Sequence, residues 1–158
     1  MPVRSGIGYD THRLAAGREL VLGGVRLESE VGLEGHSDAD VLTHAVIDAL
    51  LGAAALGDIG MHFPDSDERY READSIGLLR VAAERVRAAG YEVVNVDVTL
   101  VLERPKLGAS RERMRERLAE ALGTPLEAVN VKATTGEAIG FVGRGEGAAA
   151  LAIATIDG

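Results

Sequence analysis

Three residues near the start of the chain have the side chains and the spacing of metal ligands. Asp10 and His12 are two positions apart in a stretch that reads as a strand, so both side chains point the same way. His44 follows in an Ala- and Leu-rich segment that is predicted to form the next long helix. One carboxylate and two imidazoles that converge on one point are typical of a zinc site with an open fourth position for a substrate. The alternative is a surface Asp-His pair near a chain end.

The helix predicted over residues 38–55 carries a polar stripe on an otherwise apolar surface. Side chains four positions apart stack on one face of a helix, so Asp40, His44 and Asp48 are predicted to form one row that points into a crevice. Removing such a row from water is costly unless something pairs with it. A metal ion, with carboxylates nearby to orient the imidazole ligand, is the simplest partner.

A second informative stretch, residues 132–147, reads KATTGEAIGFVGRGEG and combines hydroxyls and glycines with Glu137 and Arg144. Glycine-rich turns expose backbone N–H groups that can face phosphate oxygens, and threonine hydroxyls add donors. A Glu in such a loop can hold a hard cation that bridges phosphates. The stretch lacks the Gly-Lys-Ser/Thr ending of a Walker loop, and a glycine-rich hairpin is the structural alternative.

Composition narrows the possible ligands and partners. The 158 residues include no cysteine, which leaves His, Asp and Glu as the strong metal ligands. A net charge of -8 argues against nucleic acid as a partner, because binding to its backbone requires a basic surface. No window of the sequence approaches the roughly 20 apolar residues of a membrane span, and the N-terminus lacks the features of a signal peptide. The sequence therefore predicts a cytoplasmic protein without a membrane partner.

The order of the elements predicts a single domain over residues 1–158, of the α/β (α+β) class. Alternating apolar residues indicate four strands in one mixed sheet, over 3–12, 91–102, 129–135 and 148–156. Three helices are predicted on one face of this sheet, over 38–55, 74–89 and 107–122. A short hairpin is expected around Gly23-Gly24, and a long irregular segment follows the first helix.

Three separated motifs together resemble one family, and the resemblance covers essentially the whole chain. The motifs are Asp10-Thr11-His12, HSDADVLTHAVIDALLGAAALGDIGMHFPD from His36, and KATTGEAIGFVGRGEG. The family is 2-C-methyl-D-erythritol 2,4-cyclodiphosphate synthase, of the non-mevalonate isoprenoid pathway. The resemblance implies a homotrimer with active sites between subunits. It also implies the conversion of 4-diphosphocytidyl-2-C-methyl-D-erythritol 2-phosphate to the 2,4-cyclodiphosphate and CMP.

The resemblance further implies a role for each matching residue. Zinc would be bound by Asp10, His12 and His44, and a second divalent cation, magnesium or manganese, by Glu137 with the substrate diphosphate. His36 and Thr135 match positions that stabilise the transition state. Asp48 is expected to orient His44 from outside the ligand shell. The cytidine diphosphate-linked substrate would contact a larger set: Asp10, Thr11, His12, His36, Ser37, Asp58, Ile59, Gly60, Phe63, Pro64, Asp65, Ser66, Asp67, Leu102, Lys106, Leu107, Gly108, Ala133, Thr134, Thr135, Gly136, Glu137, Phe141 and Arg144.

Two functions of other classes stay open on the sequence alone. A metal-dependent hydrolase of phosphoanhydrides would use the same cations, and it differs in whether water or a substrate phosphate reaches the phosphorus. A non-catalytic nucleotide- or metal-binding trimer would need His44 and Glu137 only for its structure.

Overall fold

The computed structural model describes residues 2–158, which begin with four strands and continue with helices and three further strands. The described residues form seven strands, β1 to β7: Val3–Ala16, Leu20–Leu22, Val25–Leu27, Val31–Leu33, Glu92–Val101, Val129–Thr134 and Gly147–Asp157. The same part of the chain contains five α-helices, α1 to α5: Val41–Ala53, Ile59–His62, Ser75–Ala88, Ser110–Leu122 and Gly140–Gly143. Within residues 2–158, no helix has the length and apolar character needed to cross a membrane.

Five of these strands form one mixed sheet in the order β4-β1-β7-β5-β6, and β2 pairs with β3 in a separate hairpin. β1 and β7 run antiparallel from Val3 beside Asp157 to Arg13 beside Gly147. β5 pairs antiparallel with β7 and parallel with β6. The prediction of a four-stranded sheet is wrong by one strand, because β4 is only three residues long and shows no alternating pattern in the sequence.

One face of the sheet is buried under helices and the other is exposed. Alternate residues of β7 from Ala148 to Ile156 are buried, as are Val96, Val98 and Leu100 of β5. α1 covers β1 and β7, while α3 and α4 pack beside it toward β5 and β6. These helices lie where the sequence predicts three long helices, with ends that differ by up to three residues.

A glycine allows α1 to lie directly on β1. A Cβ atom added at Gly8 would be 1.9 Å from the carbonyl oxygen of Ala45, and Gly6 makes a similar approach to the next turn of α1. Any side chain at either position would push the helix off the strand, so glycine is required there. The close packing places His44 over the strand positions that follow Gly8, where Asp10 lies.

The start of α1 differs from the prediction, and the difference changes the role of Asp40. This residue caps the helix with φ -70° and ψ 85°, so it does not belong to the helical row of His44. Its buried carboxylate accepts hydrogen bonds from the backbone N–H groups of Gly23 and Gly24, at 2.9 and 2.7 Å, and from Thr43. Burial raises the pKa of the Asp40 carboxyl. The predicted polar stripe is therefore wrong at Asp40, which joins the β2–β3 turn to the helix.

The metal-ligand residues of β1 and the glycine-rich stretch of residues 132–147 lie along one edge of the sheet. Thr11 of β1 pairs with Ala149 of β7, Ala149 pairs with Val101 of β5, and Val101 pairs with Thr134 of β6. Neighbouring strands are about 4.8 Å apart, so Thr11 of β1 and Thr134 of β6 are separated by about 14 Å along this edge. The end of the second stretch returns to β1, where Gly147 pairs with Arg13 and the carbonyl oxygen of Glu146 accepts from the backbone N–H of Leu14 at 2.9 Å.

Candidate metal centre

Asp10, His12 and His44 converge on a single point. Asp10 Oδ2 lies 3.0 Å from His12 Nε2 and 3.1 Å from His44 Nδ1, and the two ring nitrogens are 3.3 Å apart. Within the described residues, these three form a group whose ligand atoms all lie within 4.8 Å of one another. Tetrahedral zinc with bonds of about 2.0–2.2 Å holds its ligand atoms about 3.3–3.6 Å apart. The donor set, with one carboxylate and two imidazoles, fits a small divalent ion of this kind.

The ring of His12 is oriented by the backbone that follows β4. Its Nδ1 lies 2.8 Å from the carbonyl oxygen of Glu34 and donates a hydrogen bond to it, so Nε2 faces the cluster. Gly35 packs against the ring, because a Cβ atom added there would be 3.0 Å from His12 Cε1. These contacts leave one orientation for the imidazole, with Nε2 directed at Asp10.

Asp10 and His12 shift each other's pKa in opposite directions. Burial alone would raise the pKa of Asp10, but hydrogen bonds from His12 and His44 outweigh it and lower the pKa to about 2. Burial would lower the pKa of His12, but the hydrogen bond and the charge of Asp10 raise it above the ordinary value of 6.5. Protonation of His12 therefore competes with the binding of a cation at this point.

His44 is buried, with 8% of its surface exposed, and serine hydroxyls contact its second nitrogen. Nε2 lies 2.8 Å from Ser75 Oγ and 3.1 Å from Ser37 Oγ. Asp48, which is predicted to orient His44, instead accepts a hydrogen bond from the backbone N–H of Ile59 at 2.9 Å. Sequence reasoning missed Ser75, because it lies 31 positions after His44 and reads as an ordinary helix start.

His36 lies in a pocket of about 420 Å³ together with Asp65 and Ser66, which are also predicted to contact the substrate. Arg18 and Arg71 line the same pocket together with Glu68 and Glu72, so the charges around it are mixed. A groove of about 980 Å³ between the β2–β3 hairpin and α4 is larger, but it shares only Ser37 with the predicted substrate residues. The smaller pocket is therefore the one associated with the predicted chemistry.

Several predicted substrate residues build the segment that follows α1. Asp58 caps α2, and Asp67 accepts a hydrogen bond from the backbone N–H of Arg69 at 3.0 Å. Phe63 is only 6% exposed and packs edge-on against Tyr70, with ring centroids 5.4 Å apart. Any ligand contact of Phe63 would therefore use mainly its backbone. The same segment contains the remaining predicted contacts of this region: Ile59, Gly60 and Pro64.

His62 fixes this segment to α3. Its Nε2 lies 2.7 Å from the carbonyl oxygen of Leu56, and its Nδ1 lies 2.6 Å from a guanidinium nitrogen of Arg85. The guanidinium group also lies over the Phe63 ring, 5.1 Å from its centroid. His62 is thus a structural anchor and is not a member of the metal-ligand cluster.

Thr135, Gly136 and Glu137 lie beyond the end of β6, across the sheet edge from the metal-ligand cluster. Among residues 2–158, the group that could hold an ion does not include Glu137. Glu103 accepts a hydrogen bond from the backbone N–H of Gly136, which ties this loop to the segment after β5. Glu137 and Ala138 have positive φ angles of 53° and 61°, which non-glycine residues adopt only at a cost.

The other predicted residues lie around the ends of β5, β6 and β7. Leu102 and Leu107 are buried, at 5% and 6% exposure, whereas four predicted neighbours are exposed: Lys106, Gly108, Ala133 and Thr134. Phe141 is 39% exposed, and Nε of Arg144 donates to Glu146 at 2.7 Å. The Thr11 hydroxyl donates to the carbonyl oxygen of Ala148 at 2.9 Å, on the opposite face of β1 from its two neighbours in the cluster.

Comparison with known proteins places these features in one family. The YgbB family model matches residues 3–157. The chain belongs to the YgbB family. It is 61% identical over 154 residues to the 2-C-methyl-D-erythritol 2,4-cyclodiphosphate synthase of Salinibacter ruber, and the match covers 98% of each protein. It is also 61% identical over 155 residues to the bifunctional enzyme IspD/IspF of an Anaeromyxobacter species, and it spans 40% of the length of that relative.

Solved structures of the YgbB family share this fold. The bifunctional IspDF from Campylobacter jejuni matches with a TM-score of 0.94 and 41% identity, over 98% of this chain and 42% of that one. A 2C-methyl-D-erythritol-2,4-cyclodiphosphate synthase in its CDP-bound form matches with a TM-score of 0.90 and 38% identity, over 98% and 100% of the two chains. These matches confirm the family that the three sequence motifs predict.

Proposed function

We propose that this chain converts 4-diphosphocytidyl-2-C-methyl-D-erythritol 2-phosphate to 2-C-methyl-D-erythritol 2,4-cyclodiphosphate and CMP. The observation that carries the proposal is the convergence of Asp10, His12 and His44 on one point. It occurs in a chain 61% identical to a Salinibacter ruber protein named for this product. The metal-ligand residues of β1 and the glycine-rich stretch of residues 132–147 lie at the same sheet edge, which is consistent with one shared site.

The reaction brings one phosphate against another. An oxygen of the 2-phosphate forms a bond to the β-phosphorus, and the bond from that phosphorus to the bridging oxygen breaks, so the electron pair leaves with CMP. Because both partners are anionic, their charge must be offset and their approach must be aligned. CMP is a good leaving group, so the chain needs no side-chain nucleophile for this step.

The residues of the chain then have distinct tasks. Asp10, His12 and His44 would hold zinc, which when bound supplies positive charge and a coordination position for a phosphate oxygen. Glu137 would hold a second divalent cation, magnesium or manganese, together with the diphosphate. His36 and Thr135 would donate hydrogen bonds to the oxygens on which negative charge builds.

The pocket around His36 supports a phosphate-bearing substrate on the side of the metal centre. Arg18 and Arg71 line it, and Asp65 and Ser66 lie at its wall. Both guanidinium groups can donate hydrogen bonds to a phosphate, and the acidic residues of the same lining, Asp65, Glu68 and Glu72, leave the phosphate charge to be offset by the proposed cations. We therefore place the 2-C-methyl-D-erythritol 2-phosphate portion of the substrate between this pocket and the cluster.

The proposal includes a homotrimer with active sites between subunits. Thr135 and Glu137 follow Thr134, which lies about 14 Å from Thr11 across three strand spacings, and the metal-ligand cluster of the same chain does not include Glu137. The outer face of the sheet carries apolar side chains that are 41% to 69% exposed: Val3, Ile7, Tyr9, Val94, Leu151 and Ile153. A surface of this kind marks an interface, and a neighbouring copy on it would supply the missing half of the site.

Product analysis tests the reaction. The purified protein is incubated with the proposed substrate, zinc and magnesium, and the products are identified by phosphorus NMR and mass spectrometry. We expect equal amounts of the cyclic diphosphate and CMP. Linear phosphates would show a metal-dependent phosphoanhydride hydrolase instead, and binding of the substrate without turnover would show a non-catalytic binding protein.

A mixing experiment tests the shared site. His44→Ala and Thr135→Ala chains are each expected to have little activity alone, and they are co-expressed with different tags and purified together. If each site combines the cluster of one copy with Thr135 of the next, random mixed trimers recover roughly a quarter of the unchanged activity. Sites built within single chains would give no recovery, because every chain would carry a defect.

A further inference from the structure

We infer that Ser75 and Asp38 are positioning residues that keep a ring hydrogen of the His44 imidazole on Nε2, so that Nδ1 is the nitrogen available to the metal. The inference rests on the proposed metal centre and adds to it the two residues that select the binding form of one ligand. Both lie outside the set of residues for which the sequence predicts a role in the site.

The hydroxyl of Ser75 has its only hydrogen committed elsewhere. Ser75 Oγ donates to Asp38 Oδ1, and the backbone N–H of Ser75 donates to Asp38 Oδ2 at 2.9 Å. A hydroxyl has one hydrogen and two acceptor lone pairs, so Ser75 presents only a lone pair to His44. His44 Nε2, which lies 2.8 Å from Ser75 Oγ, must therefore carry the ring hydrogen. A neutral ring with its hydrogen on Nε2 has none on Nδ1, which is the form that binds a metal. Without metal, Nδ1 lies 3.1 Å from Asp10 Oδ2, which accepts a hydrogen bond from it, so the hydrogen on Nε2 is the one that reports the contact with Ser75.

Ser37 does not select a tautomer in this way. Its Oγ lies 3.1 Å from the same ring nitrogen, and it accepts a long hydrogen bond of 3.4 Å from the backbone N–H of Ala39. The hydroxyl hydrogen can rotate toward the ring or away from it, so this serine fits either form of His44. The choice between the two forms therefore depends on Ser75.

The negative charge of Asp38 fixes the direction of these hydrogen bonds. Ser75 Oγ must donate to Asp38, so it can only accept from His44. Its Oδ1 accepts from the Ser75 hydroxyl and from the backbone N–H of Asp40 at 3.1 Å, while its Oδ2 accepts from the backbone N–H of Ser75. Both oxygens face donors, so only a carboxylate satisfies all of them. Ser75 is fully buried and His44 nearly so, which leaves little room for water to replace these contacts.

Zinc affinity of Ser75 variants tests the inference. We expect Ser75→Ala to weaken zinc binding by about 10- to 100-fold, since the loss of a residue that orients a metal-binding histidine typically has this effect. Ser75→Thr keeps the hydroxyl and should restore affinity to within a few-fold of the unchanged protein. Ser110→Ala is the matched control, because Ser110 also begins a long helix but lies in α4, away from the cluster, and it should bind zinc normally.

A second measurement does not depend on how well a variant folds. Nitrogen NMR of the metal-free unchanged protein, labelled in histidine and kept at mildly alkaline pH, reports which ring nitrogen of His44 carries the hydrogen. We expect Nε2 of His44 to carry a hydrogen in the unchanged protein. In Ser75→Ala we expect Nε2 to lose that hydrogen in part of the molecules.

The outcomes separate this inference from the proposed function. If the unchanged protein binds zinc and a folded Ser75→Ala variant binds it equally well, Ser75 has no positioning role. An Nε2 without a hydrogen in the unchanged metal-free protein would overturn the inference as well. If the unchanged protein binds no zinc, the proposed metal centre fails, and this inference fails with it.

Discussion

The two halves of the candidate site are built in opposite ways. Asp10, His12 and His44 stand on a regular strand and a regular helix, and backbone and serine groups of the same chain orient His12 and His44. Thr135 and Glu137 stand on a loop beyond the end of β6, which is three strands away from β1 in the sheet. Residues of one chain therefore form the metal-ligand cluster, whereas the proposed function gives the loop a role in the site of a neighbouring copy.

The largest expected effect comes from removing a ligand of the half that contains Asp10, His12 and His44, which we call the rigid half. Metal-ion catalysis contributes several kcal/mol, so we expect His44→Ala to lower kcat/KM by about 10³-fold or more and to remove zinc. His62→Ala is the matched histidine control, because His62 anchors a loop outside the cluster. It should keep its zinc, as measured by metal analysis of the purified protein. Full turnover by a zinc-free His44→Ala variant would show that this half has no catalytic role.

The packing of α1 on β1, which supports the rigid half, can be disrupted by a substitution that leaves all three metal ligands in place. A Cβ atom at Gly8 would lie 1.9 Å from the carbonyl oxygen of Ala45, so we expect Gly8→Ala to lower the free energy of unfolding by at least about 3 kcal/mol. Gly77→Ala in α3 is the control, since a Cβ atom there would have nothing within 4 Å. It should stabilise the protein by about 0.5–1 kcal/mol. Urea denaturation of both metal-free variants checks the contrast, which equal stabilities would contradict.

Substitutions in the other half, on the loop that carries Thr135 and Glu137, are expected to slow the reaction and leave metal binding unchanged. Thr135→Ala removes one hydrogen-bond donor, and loss of such a donor typically lowers kcat by about 10²- to 10³-fold. Zinc affinity should not change, because Thr135 lies outside the cluster. Thr135→Ser, which keeps the hydroxyl, should recover most of the rate. A parallel loss of zinc in Thr135→Ala would contradict the division between the two halves.

The smallest expected effect is the change of zinc affinity with pH, which tests the half that contains His12. The pKa of His12 is raised above 6.5, so at lower pH a proton competes with zinc for this ring. Affinity should rise with pH by up to about tenfold per unit and level off above the pKa of His12. Asp10, with its pKa lowered to about 2, stays ionised throughout and adds no competing proton.

The stability of the metal-free protein should change in the opposite direction. A raised folded pKa means that the Asp10–His12 pair stabilises the fold fully below 6.5 and loses this contribution as pH rises through the folded value. Titration calorimetry with zinc and urea denaturation over the same pH range would show the two trends. Zinc affinity that is flat between about pH 5 and 8 would contradict the assignment of His12 as a ligand.

The metal ligands could be predicted from the sequence because their directions follow from local geometry. Alternation along a strand puts Asp10 and His12 on one side, and the helix that follows was expected to bring His44 above them. Asp40 was assigned wrongly because its role depends on where the helix begins, and helix ends are the least certain part of a sequence pattern.

Contacts between distant parts of the chain could not be predicted in this way. Asp38 and Ser75 are 37 positions apart, and neither stands in a pattern that points to the other. The separation of the two halves was also hidden, since it follows from the strand order β4-β1-β7-β5-β6, and the sequence does not state that order. The short strand β4 has too few residues to show a period of two.

The central claim is that Asp10, His12 and His44 share one ion. Crystals of the protein grown with zinc, measured on both sides of the zinc absorption edge, locate that ion by anomalous scattering. We expect one strong peak per chain, about 2.0–2.2 Å from Asp10 Oδ2, His12 Nε2 and His44 Nδ1. Zinc bound at another place, or bound by only one of the three residues, would contradict the account.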